Sequence, residues 1–199
     1  MKVLIIAMPR CGSTTLMKGL SKLYNCPYIT EPWTENRIPS KLPFSFTLPD
    51  KVVVKSMAVH SPDDYKLGSL SAHIELAKNF DHTVLLGRLE KKAQIESFSH
   101  AVENFTDSAQ WHSKYRFTNN TNTTKYEVYS ELYDKSIELL TILSNSLNIP
   151  ITWYEHLYSN VEEKVKSCLN LPNLNITFND IQEYVDNKNK YRQDNISII

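Results

Sequence analysis

Residues 9–16 read Pro-Arg-Cys-Gly-Ser-Thr-Thr-Leu, a stretch that gathers one guanidinium, one glycine and three hydroxyls. Those groups suit the binding of a phosphate-type anion. Arg10 offers a forked cation, Ser13, Thr14 and Thr15 offer hydroxyl donors, and Gly12 lets the backbone come close. Further along the chain, Lys55 and Arg88 are cations able to contribute to a local basic site. The Walker pattern G-x-x-x-x-G-K-[ST] requires an earlier Gly and a Lys after the second one, and this stretch has neither. A Mg-nucleotide kinase is therefore not the first expectation.

The elements around these residues follow from apolar periodicity. Residues 3–8 are an aliphatic run suited to a strand buried on both faces, and Leu16, Met17, Leu20 and Leu23 recur at helical spacing. The loop between them thus meets a helix N-terminus, where backbone N–H groups and the helix dipole favour an anion. Residues 26–30 predict a short second strand, 31–50 a Pro-studded loop and 51–55 a third strand. A helix over 67–80, a strand over 83–86 ending at Gly87-Arg88, and a helix over 91–104 come next. Residues 105–124 are polar and Asn/Thr-rich, 126–147 predict a long amphipathic helix, and 151–154 a last strand. Shorter helices are expected over 161–169 and 178–185, before a polar tail. Strands alternating with helices predict an α/β fold: a parallel sheet of about five strands flanked by helices on both faces, with right-handed crossovers. In such a sheet ligands gather at the carboxyl ends of the strands, where Arg10, Glu31, Lys55 and Arg88 are expected to fall.

Composition sets the bounds. The 199 residues suit a single domain over 1–199, and 22 basic against 22 acidic side chains give no general attraction to nucleic acid or anionic membrane. Any basic site must be local. Cys11, Cys26 and Cys168 lack C-x-x-C spacing, which argues against a zinc site and for free thiols in a reducing, cytoplasmic setting. The N-terminal apolar run is too short for a secretory signal and no stretch is long enough to span a bilayer. Glycosylation sequons such as the one at Asn104 are expected to be chance products of an Asn-rich chain.

Residues 9–16 resemble the 5′-phosphosulfate loop of sulfotransferases that use 3′-phosphoadenosine 5′-phosphosulfate (PAPS), above all the tyrosylprotein and bacterial glycolipid branches, which carry Pro-Arg-Ser-Gly-(Ser/Thr)-Thr-Leu after the first strand. Cys11 replaces the Ser of that pattern, a change that matters little if the position gives only its N–H and more if its side chain touches the ligand. Thr83-Val-Leu-Leu-Gly-Arg88 with Lys91-Lys-Ala-Gln-Ile-Glu-Ser97 resembles the family's 3′-phosphate element, in which an Arg and a helix Ser clamp the donor. Ser99 is the alternative to Ser97. Ile151-Thr-Trp-Tyr-Glu-His-Leu157 is similar to the strand end that supports the sheet edge in the family, with Tyr154, Glu155 and Leu157 as architecture. Lys190-Tyr191-Arg192 is a short match to its C-terminal basic loop.

The resemblance implies a three-layer, P-loop-NTPase-like sheet and transfer of a sulfuryl group from PAPS to an acceptor hydroxyl, leaving 3′-phosphoadenosine 5′-phosphate (PAP), without a metal. Arg10, Cys11, Gly12, Ser13, Thr14, Thr15, Arg88 and Ser97 would bind the donor, and Arg10 with Lys55 would stabilise the leaving phosphate. Cytosolic members take their base from a His two residues after a strand-end Lys, where this chain has Met57. Residues 28–37 are instead similar to the segment that supplies a Glu in the tyrosylprotein and glycolipid branches, which makes Glu31 the expected base and Glu35 its competitor. His60 and His156 are weaker alternatives. The acceptor, whether glycan, lipid, peptide or small alcohol, has no readable code, although Trp33, Phe44, Phe46 and Trp111 could line its cleft. The competing expectations are a P-loop kinase and a nucleotide-binding protein without sulfuryl transfer.

Overall fold

The aliphatic run after Met1 becomes β1 (Lys2–Ala7), and Val3 to Met8 are fully buried. A strand buried on both faces belongs at the centre of a sheet, and β1 lies between β3 (Val52–Met57) and β4 (His82–Gly87). With β2 (Tyr28–Thr30) and β5 (Ile151–Trp153) at the edges, the sheet is five-stranded, all parallel, in the order β2-β3-β1-β4-β5. The computed structural model describes residues 1–31, 48–59, 68–104 and 125–158. The expected helices over 161–169 and 178–185 lie outside them, as do Lys190, Arg192, Glu35, His60, Cys168 and the aromatics Trp33, Phe44, Phe46 and Trp111.

The helices are α1 (Ser13–Tyr24), α2 (Gly68–Ala77), α3 (Lys91–Asn104), α4 (Lys125–Leu147) and the short α5 (Tyr154–Tyr158). Side chains alternate across β3 and show how the layers are divided. Lys55 reaches Thr14 on α1, whereas Ser56 shares a 2.9 Å hydrogen bond with His73 on α2, both residues being fully buried. Therefore α1 covers one face and α2 the other, with α4 packed against α2, α3 and β4. The chain leaves β1 toward β2 on one side and leaves β3 toward β4 on the other. Right-handed crossovers put these two connections on opposite faces, so a crevice opens between the carboxyl ends of β1 and β3.

Several expected boundaries shift, and the second helix closes at Ala77 instead of 80. The second strand begins at Tyr28 instead of 26, because Cys26 belongs to the end of α1: its N–H donates to Ser21 O, its carbonyl accepts from Ser21 Oγ, and Asn25 before it is left-handed (φ 47°). The third strand runs on to Met57, where Ser56 and Met57 pair with Ile6 and Ala7. Lys55 accordingly lies inside β3, two residues short of its end. Gly87 is demanded by close packing, since a Cβ there would lie 2.7 Å from the Trp153 ring on the neighbouring strand. Among the described residues no helix is long and apolar enough to cross a membrane.

Candidate functional site

Between Ala7 and Ser13 the chain turns through two residues of positive φ, Arg10 at 60° and Gly12 at 78°. Glycine adopts such a conformation freely, while a residue with a side chain loses about 1–2 kcal/mol there. Arg10 is held in it from the β4–α3 unit. Gln94 Nε2 donates to Pro9 O at 2.9 Å, Arg88 Nη1 donates to Arg10 O at 3.0 Å, and Arg10 Nε donates to Ser97 Oγ at 3.2 Å. Gly12 is then the N-cap of α1, whose first internal bond runs from Leu16 N–H to Gly12 O. No side chain caps this helix end. Ser13 and Thr15 are buried and Thr14 is the more open of the three hydroxyls.

Cys11 resolves one alternative. Its thiol is fully buried and donates to Met8 O at 2.9 Å, and burial pushes it up to about 11. The side chain is committed inward, so only the backbone of this position remains for a ligand.

Across the crevice, Glu31 follows β2 directly, also at positive φ (51°), with its N–H donating to Lys55 O. Its Oε1 lies 2.9 Å from Lys55 Nζ, and Nζ lies 3.4 Å from Thr14 Oγ1. Both side chains are largely withdrawn from water, Lys55 at 5% and Glu31 at 16% exposure. Together they bring a carboxylate, an ammonium and a hydroxyl of the loop into one chain of contacts between β2, β3 and α1. Met57, where a His would stand in the cytosolic pattern, is an apolar, buried side chain.

On the far side, the turn after β4 is fixed from several directions. Glu155 accepts from the N–H groups of Leu89 (3.0 Å) and Glu90 (3.1 Å), a cap for α3 supplied from the start of α5. Its Oε1 also lies 3.8 Å from Arg88 Nε. Tyr133 on α4 donates to the carbonyls of Arg88 (2.8 Å) and Leu89 (3.0 Å). Burial, and secondarily the carboxylates of Glu155, Asp134 and Glu90, push Tyr133 upward, which keeps it a donor. Arg88 stacks its guanidinium 4.6 Å over the Tyr154 ring. The family resemblance implies Tyr154 and Glu155 as support for the sheet edge; the contacts they make here bear on the position of Arg88.

Arg10, Gly12, Thr14, Glu31, Lys55, Arg88 and Ser97 thus come together around the loop at one end of the sheet. Ser99 is two helical steps from Ser97, about 200° round α3, so the two do not share a face. His156 is exposed on α5. Sequence reasoning missed Gln94 and Tyr133. An amide beside the apolar positions Ile95 and Phe98 of α3 was a signal for Gln94; nothing local marked Tyr133. Among the described residues no group of three His, Cys, Asp or Glu side chains could hold a metal ion. No protein-family model matches the chain, and no curated protein matches it.

Proposed function

We propose that this protein is a PAPS-dependent sulfotransferase that moves a sulfuryl group to an acceptor hydroxyl in a reducing, cytoplasmic compartment. The observation that carries this reading is the position of the Glu31 carboxylate, one ammonium away from the anion loop: Lys55 Nζ is 2.9 Å from Glu31 and 3.4 Å from Thr14. Guanidinium groups of Arg10 and Arg88 stand on the other side of the same loop. Sulfuryl transfer requires a base for the acceptor hydroxyl and cations for the departing phosphate, and the carboxylate, the ammonium and the guanidinium groups around this loop offer both.

In this scheme Glu31 takes the proton from the acceptor hydroxyl as its oxygen forms a bond to sulfur. The bond between sulfur and the phosphate oxygen breaks, and its electron pair stays on that oxygen. Arg10, Lys55 and the N–H groups at the start of α1 offset the charge that builds there. In the same scheme Arg88 and Ser97 meet the ribose 3′-phosphate, with guanidinium pairing supplying directionality. The acceptor remains a hydroxyl compound, whether glycan, lipid, peptide or small alcohol.

Calorimetric titration of PAP without Mg, compared with Mg-ATP, tests the reading. Tight PAP binding that Arg10→Ala and Arg88→Ala both abolish supports it and justifies an acceptor screen with Glu31→Gln as the inactive control. Preference for Mg-ATP, or PAP binding indifferent to Arg88, refutes it and favours a P-loop kinase.

A further inference from the structure

We infer that Gln94 is a positioning residue of the anion loop: by holding the Pro9 carbonyl it turns the loop's amides toward a phosphate-type ligand. The inference rests on the proposed anion-binding role of residues 9–16. Gln94 is 1% exposed, and a buried amide costs stability wherever its polar atoms are unmatched. Here it is half matched, because Nε2 donates to Pro9 O at 2.9 Å while Oε1 has no hydrogen-bond partner. A position needing only packing would take Leu or Met, which form helix equally well and leave no orphaned acceptor. The amide is therefore accounted for by the one bond it makes.

That bond acts through the planarity of the peptide unit. In a trans peptide the N–H points opposite to the carbonyl, and no peptide bond among the described residues is cis. With Pro9 O pinned toward α3 by Gln94, the N–H of Arg10 is directed away from α3. With Arg10 O pinned by Arg88 at 3.0 Å, the N–H of Cys11 is directed oppositely to that bond in the same way. Two successive amides are thus oriented by side chains of the β4–α3 unit, in a turn whose left-handed Arg10 is the kind of backbone used in anion nests. Ser97, one turn along α3 from Gln94, receives the Arg10 side chain, so α3 orients both the backbone and the guanidinium of one residue.

The test is calorimetric binding of inorganic pyrophosphate and of PAP to the full chain, alongside urea unfolding, for wild type, Gln94→Met and Gln94→Asn. The first variant keeps the length without the donor; the second keeps the amide one methylene short. Each is expected to weaken pyrophosphate about tenfold, the scale of one hydrogen bond, while Gln94→Met leaves the urea midpoint close to wild type. In an Arg10→Ala background Gln94→Met is expected to weaken pyrophosphate by a similar factor, because the Pro9 carbonyl and the amide that follows it are still there to be turned. A purely structural role would lower the midpoint and leave pyrophosphate affinity unchanged, and that result overturns the inference. So does a wild type that binds no pyrophosphate. Pyrophosphate binding without PAP binding would refute the sulfotransferase reading alone, and Gln94 would still be judged by the pyrophosphate arm.

Discussion

Replacing Lys55 and Glu31 singly and together probes the site without needing a substrate. In Lys55→Met the Glu31 carboxylate, 16% exposed, loses the ammonium 2.9 Å away; in Glu31→Gln the ammonium, 5% exposed, loses its counter-charge. Breaking a buried pair by removing one partner costs about 3–5 kcal/mol, whereas replacing both charges by neutral groups is often close to neutral. The residual exposure of Glu31 puts Lys55→Met near the lower end, about 3 kcal/mol. Glu31→Gln is expected at about 2–3 kcal/mol, since Thr14 still offers an oxygen to the ammonium. The double variant should cost only about 1–2 kcal/mol, less than the two single changes together, which corresponds to a coupling of about 3–5 kcal/mol. Urea unfolding at pH 7 measures all four proteins, and the ordering should persist in high salt because a buried pair is poorly screened. Additivity within about 0.5 kcal/mol would mean that the two groups do not share a desolvated contact, and the assembly of carboxylate, cation and loop would fail with it.

Two further outcomes follow from single residues. Burial raises Cys11 from 9.0 to about 11, so between those values the folded chain holds a proton that the unfolded chain releases. The stability this represents, at most about 3 kcal/mol, is present below pH 9 and is lost as the pH rises toward 11. Cys11→Ser, which keeps a donor for Met8 O, should flatten the alkaline decline in stability and leave PAP binding unchanged; an identical decline, or lost binding, counts against the inward thiol. Gly87→Ala places a methyl group 2.7 Å from the Trp153 ring and should cost about 1–3 kcal/mol by overpacking, relieved in a Gly87→Ala/Trp153→Leu double variant. An unrelieved loss in thermal unfolding would locate the strain elsewhere.

What the sequence made legible was whatever has a local cause. The aliphatic run of β1, the β-branched Val52 to Val54 and the apolar stripe of α1 are patterns within a few residues, and each became the expected element. The glycine-containing turn after β1 was equally visible, because strand, loop and helix follow one another without interruption. The partners were not. Tyr133 holds the Arg88 carbonyl from 45 residues away and Gln94 holds Pro9 from 85, distances over which no periodicity carries information. The start of β2 at Tyr28, two residues later than expected, has a related reason: Ser21 of the preceding helix claims the backbone groups of Cys26. That Glu31 and Lys55 form a pair could be learned only once β2 and β3 were seen to be neighbours.

The long reach of those contacts has a consequence for how the protein acquires its site. The turn after β1 is shaped by groups on Arg88, Gln94 and Ser97, and Arg88 is in turn braced by Tyr133, Tyr154 and Glu155. A nascent or partly folded chain that has paired β1 with β3 alone owns the loop's residues without their arrangement. Competence would therefore arrive late, after closure of the longest loops in the described chain, the step that is entropically slowest. Formation of the turn's native arrangement during refolding would then report completion of the whole sheet.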